Sequence, residues 1–120
     1  MKKLLLTLVA VLFFNACSEK ETLQGKNFVM DGNKNITISF DAKENKFYGK
    51  AINNYFGTYK TDNNNITLSL TGSTMMAGPE EEMKKEQAYF NDLSKIKTYS
   101  LKNKTLELKG DNITIKYLEQ

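Results

Sequence analysis

Thr71-Gly72-Ser73-Thr74-Met75-Met76-Ala77-Gly78-Pro79-Glu80, running on through Met83, Glu86, Phe90 and Leu93, is the stretch whose reading decides the fold. It starts as a strand, breaks at Gly78-Pro79 and continues with helical spacing. Proline has no N–H to give a strand ladder, so Pro79 ends the strand and suits the first helical position. Glu80, Glu81 and Glu82 then occupy the first turn, where carboxylates favour the positive end of the helix dipole. Met83, Phe90 and Leu93 recur at spacings of seven and three, which predicts one apolar stripe on a helix of about residues 79–95, packed on a sheet. Glu86 lies at the edge of that stripe. A carboxylate there is costly unless it accepts from backbone donors or pairs with a Lys.

On either side the pattern changes to strict alternation. Phe28-Val29-Met30, the turn Asp31-Gly32-Asn33 and Ile36-Thr37-Ile38-Ser39-Phe40 read as a hairpin with one apolar face. Ile66 to Leu70, Leu106 to Leu108 and Ile113 to Tyr117 alternate in the same way, each behind a polar cluster of Asn, Asp or Lys. Asn-Ile-Thr recurs at Asn35, Asn65 and Asn112; Asn is a turn residue and Ile-Thr a good strand opening, so the triplet needs no glycan to explain it. Lys46 to Ile52 and Tyr55 to Tyr59 form an aromatic-rich middle. Tyr48, Tyr55 and Tyr59 could be a stacking platform for a sugar or base, but strands are enriched in aromatics and the simpler reading is cross-strand pairing and core cover.

The amino end sets the compartment. Met1-Lys2-Lys3 is a short basic start and Leu4 to Phe14 is apolar apart from Thr7, which fits a signal-peptide core and falls short of the ~20 residues of a spanning helix. Phe14 is too bulky for an ordinary small-x-small cleavage site. The one cysteine of the chain, Cys17, follows Ala16 as in a bacterial lipobox, so residues 1–16 are expected to be a lipoprotein signal peptide and Cys17 to be acylated. Residues 17–23 are polar and should tether the lipid to a domain spanning 24–120. Ser18, rather than Asp, resembles the sorting context of the outer membrane, which predicts anchoring at its periplasmic face.

Composition prunes the chemistry further. The 120 residues suit one domain, with no His, no Trp and 17 basic residues that are all Lys. Without imidazole, Ser-His-Asp, Cys-His and His-zinc sites cannot be built, and no metal or cofactor is expected. Interspersed Lys and acids, with no Arg, argue against nucleic-acid binding. A carboxylate pair such as Glu86 with Asp92 would lie on different helix faces, so no enzyme is expected.

Thr74-Met75-Met76-Ala77 followed by Glu80, Glu86, Phe90 and Leu93, and the Asn-x-Tyr-x-Gly-x-Tyr pattern at Asn53, Tyr55, Gly57 and Tyr59, resemble the META/HslJ domain of bacterial envelope lipoproteins. The chain departs from the family at Ile52 and Gly78, where many members have Cys; loss of both together implies that the two positions face each other. The resemblance implies an α+β, mainly β fold: an antiparallel, partly barrel-like sheet of about seven or eight strands crossed by one helix. It also implies an association with heat or envelope stress and drug tolerance; together with the lipobox-like Cys17 and the missing catalytic parts, this leads to the expectation of a non-enzymatic, lipid-anchored envelope protein that acts by binding another envelope component. The alternative is a carrier or pilot-like lipoprotein holding an acyl chain between helix and sheet, with Met75, Met76 and Met83 filling the apolar pocket. By the same resemblance, Asn53, Tyr55, Tyr59, Thr74, Met75, Met76 and Glu86 are the candidate binding surface.

Overall fold

The computed structural model describes residues 22–120; the apolar leader, the lipidation candidate Cys17 and the tether up to residue 21 lie outside the described residues. Eight strands follow one another: β1 (Asn27–Met30), β2 (Asn33–Phe40), β3 (Lys46–Lys50), β4 (Asn54–Asp62), β5 (Asn65–Ser73), then the helix α1 (Glu80–Leu93), β6 (Ile96–Lys102), β7 (Thr105–Gly110) and β8 (Ile113–Glu119). Each pairs antiparallel with its sequence neighbour, and β1 pairs with β8, so the expected partly barrel-like sheet is a closed barrel.

Tight turns make the neighbours meet. Asn63 (φ 58°), Asn112 (φ 60°) and the Asn103-Lys104 pair (φ 51° and 66°) take the left-handed conformation that two-residue hairpins require, and Asn tolerates it better than most side chains. The polar clusters read as turns therefore are turns. Of the three Asn-Ile-Thr triplets, Asn65 opens β5 and Asn112 sits in a turn, while Asn35 lies inside β2, which begins two residues earlier than expected.

Alternation places the core. Ile38, Phe40, Phe47, Tyr55, Tyr59, Ile66, Leu68, Leu106, Leu108, Ile115 and Tyr117 point inward and are buried, with their strand neighbours outward. Leu23, expected at the end of the tether, is buried with them because an apolar side chain at the barrel end has a core to enter; ordered structure thus begins before residue 24.

The helix bridges the weakest join. β4 and β5 share eight registered pairs, whereas β5 and β6 share one, Asn65 with Thr98. The chain leaves β5 at Ser73, five residues before the expected break at Gly78, runs as a loop to Pro79 and returns along α1 to β6. Pro79 is the residue before the helix (φ −58°, ψ 143°) and not its first helical position. The buried face of α1 is Glu86, Tyr89 and Leu93; Met83 and Phe90 are half-buried on its flank, so the apolar stripe is rotated from the expected one.

Candidate functional site

The two sequence motifs come together at one end of the barrel, where α1 lies against the β3–β4 connection. Asn53, Tyr55, Gly57 and Tyr59 are two residues apart, so all four project inward. Gly57 is required there: a Cβ at that position would sit 2.8 Å from Cζ of Phe47. Gly49 serves Tyr55 in the same way, since a Cβ would lie 2.7 Å from the Tyr55 hydroxyl and block its approach to the backbone of Thr37.

Asn53 and Glu86 form the centre of this joint and are 3% and 6% exposed. Glu86 Oε2 accepts from the backbone N–H groups of Ile52 (3.0 Å) and Asn53 (2.6 Å), and its Oε1 accepts from Asn53 Nδ2 (2.9 Å). Asn53 Oδ1 accepts from Thr74 Oγ1 (3.0 Å) and from the backbone N–H of Met76, and Nδ2 also donates to the carbonyl of Met76 (3.3 Å). Thr74 is bound in turn to both backbone groups of Asn54. The side-chain polar atoms of Asn53, Thr74 and Glu86 all have internal partners, and among the described residues no buried side-chain nitrogen or oxygen lacks one. Glu86 is thus the buried carboxylate that caps backbone donors.

Deeper in, three tyrosines fasten the helix to the barrel. The Tyr55 hydroxyl lies 2.6 Å from the carbonyl of Thr37 and 2.7 Å from that of Tyr89, which lies 2.8 Å from that of Tyr117. A carbonyl can only accept, so the proton order is fixed: Tyr55 donates to Thr37, Tyr89 to Tyr55, and Tyr117 to Tyr89. Burial pushes all three phenols well above their ordinary range. Tyr89 was not singled out in the sequence. Its only signal is a spacing of three from Glu86 and four from Leu93, which competes with the equally apolar Phe90.

The remaining candidates separate. Met75 is 92% and Met76 56% exposed, so neither fills a pocket between helix and sheet as the carrier reading required; the Asn53 bonds turn that loop outward. The barrel interior is filled instead by Phe28, Phe40, Phe47, Tyr55 and Tyr117. Tyr59 lies toward the opposite end, six residues along from Asn53 within β4 (Asn54–Asp62), beside Leu23 and Asn45. Ile52 and Gly78 do face each other: a Cβ at Gly78 would sit 3.4 Å from Cγ2 of Ile52.

Among the described residues no group of three His, Cys, Asp or Glu is placed to hold a metal ion, and no helix is long and apolar enough to cross a membrane. The family model of the META domain matches residues 19–120. No curated protein matches. Among solved structures, an NMR structure of a protein from Burkholderia xenovorans superposes with a TM-score of 0.69 at 20% identity, over 82% of this chain and 83% of that one. A second NMR structure gives 0.61 at 22% identity, over 80% and 90%. A crystal structure of a DUF4847 family protein from Bacteroides vulgatus gives 0.55 at 17%, over 70% and 58%. At these identities the likeness is one of fold.

Proposed function

The chain belongs to the META domain family, and from that premise we propose that it is a non-enzymatic, lipid-anchored envelope protein that supports heat or envelope stress and drug tolerance by binding another envelope component. The observation that carries this reading is the loop at Met75 and Met76. Asn53, Thr74 and Glu86 spend their polar atoms inside the fold, so they have none left for a reaction, and what they hold out to solvent is an apolar tip. Exposed methionines are adaptable contacts for a partner surface. The loop also leaves the barrel at the end opposite Thr22, where the chain enters. With Cys17 acylated, a tether of five residues reaches at most ~18 Å, so the membrane would lie near the Thr22 end and the Met75–Met76 tip would face the periplasm.

A photo-crosslinking residue placed at Met75 in living cells tests this. Capture of one envelope protein at Met75, but not from exposed Lys102, is expected, together with loss of tolerance to heat or membrane-active antibiotics on deletion. No captured protein and no change in tolerance would overturn it. Mass spectrometry of the wild type against Cys17→Ala reads the lipid directly.

A further inference from the structure

The barrel end next to the chain entry holds a cup of about 370 Å³, within the ~300–1,000 Å³ range of small-molecule sites, and its lining differs in kind from the rest of the surface. Gln24, Asn45, Tyr59, Thr61, Asn63 and Tyr99 face it. None of its lining residues carries a formal charge, in a chain whose surface is otherwise crowded with Lys, Asp and Glu. Tyr59 is the informative residue. Its side chain is only 5% exposed and its ring is held edge-on against Phe40 at 5.1 Å, yet its hydroxyl makes no hydrogen bond to any described residue. Since among the described residues no fully buried side-chain polar atom lacks a partner, that hydroxyl opens onto the cup. The side-chain amides of Asn45 and Asn63 and the hydroxyl of Tyr99 are likewise unengaged among the described residues. Asn63 is fixed by its left-handed turn conformation (φ 58°), and Asn45 by its own carbonyl, which accepts from the backbone N–H of Tyr59 at 3.0 Å.

We infer that this cup is a binding site for a neutral sugar ring, one unit of an envelope glycan. Amides and hydroxyls each both donate and accept, which matches the hydroxyl groups of a pyranose; the half-buried ring of Tyr99 offers an apolar surface to its C–H side. A phosphate, carboxylate or ammonium group would find no opposite charge in the lining, so anionic and cationic ligands are disfavoured. The site goes beyond the anchored-adaptor reading and does not depend on it, because purified chain should bind sugar whether or not Cys17 carries lipid.

The test is NMR titration of the full chain, in a detergent with no sugar headgroup, with chitotriose, maltotriose and, as an anionic control, tripolyphosphate. Saturable shifts confined to the neighbourhood of Gln24, Asn45, Tyr59, Asn63 and Tyr99 are expected with at least one sugar, at a dissociation constant of about 0.1–5 mM. Asn63→Gly keeps the left-handed turn and removes the amide, and Tyr99→Phe removes one hydroxyl; each should weaken binding by about three- to tenfold without moving the melting temperature. No saturable shift with either sugar up to about 20 mM would overturn the assignment. So would shifts centred on Met75 and Met76, unchanged affinity in both variants, or tripolyphosphate binding as tightly as the sugars.

Discussion

The two ends of the barrel are built from similar residues and do opposite things with them. At the helix end the side chains of Asn53, Thr74, Glu86, Tyr55, Tyr89 and Tyr117 are all engaged, by one another and by the backbone of Thr37, Ile52 and Met76; at the tether end Asn45, Asn63, Tyr59 and Tyr99 leave their amides and hydroxyls unused among the described residues. The difference teaches that a polar motif is not by itself a binding site. At the helix end polarity solves a closure problem. β5 and β6 share a single registered pair, so the chain must be held across the gap by α1, and Glu86 and Tyr89 are the bonds that hold it. At the tether end the hairpins close the barrel unaided, and the polar groups of their turns are free for something else.

The comparison breaks first at Glu86. Glu86→Ala strands three donors of Ile52 and Asn53 in a buried position, and urea denaturation should show a loss of about 3–5 kcal/mol; Glu86→Gln, which keeps one acceptor, should lose less. Alkali attacks the same end through the tyrosines. Their folded pKa values lie above the unfolded value of about 10, so the folded state holds its protons longer. Stability is therefore fully present below pH ~10 and lost above it, at up to ~1.4 kcal/mol per pH unit for each phenol. Chemical denaturation between pH 8 and 11 should fall accordingly, and a flat profile would contradict the buried network.

A staple should sharpen the same end. Ile52→Cys with Gly78→Cys places two thiols at positions already in contact, and oxidation should raise stability by about 3 kcal/mol, read as a dithiothreitol-sensitive shift in melting temperature. Proton order predicts the next contrast. Tyr89→Phe removes the middle hydroxyl and leaves the Tyr117 proton without its acceptor, at about 1–3 kcal/mol. Tyr117→Phe removes only the terminal donor, at about 1 kcal/mol or less. Equal losses would refute the assigned direction. The smallest effect belongs to the other end: Asn63→Gly should change stability by less than ~0.5 kcal/mol, because its amide bonds no described residue and glycine keeps the turn.

Much of the fold was legible because its signals are local. Alternation at Ile36-Ile38-Phe40 and Ile66-Leu68-Leu70 needs only a period of two, and Asn at hairpin turns needs only its tolerance of positive φ. The helix was legible from Pro79 and the acidic first turn, but its face was not, since Tyr89 and Phe90 are adjacent and periodicity alone cannot choose between them. The candidate site was half legible. Asn53, Thr74, Met76 and Glu86 do meet, yet the motif says nothing of whether their polar atoms face inward or out. Of the sugar cup only Tyr59 carried a signal, as an aromatic in the middle strands; Gln24, Asn45, Asn63 and Tyr99 come from four separate segments and carried none.

The sequence by itself determined the element order, the mainly β class, the single helix after Pro79 and the family, all properties carried by residues a few positions apart. Tertiary structure alone decided that the sheet closes between β1 and β8, that Glu86 turns inward to cap Ile52 and Asn53 across more than thirty residues, and that Met75 and Met76 are displayed instead of buried. The physical reason is desolvation. Whether a polar group costs or contributes depends on which partner reaches it once water is excluded, and that partner comes from distant parts of the chain.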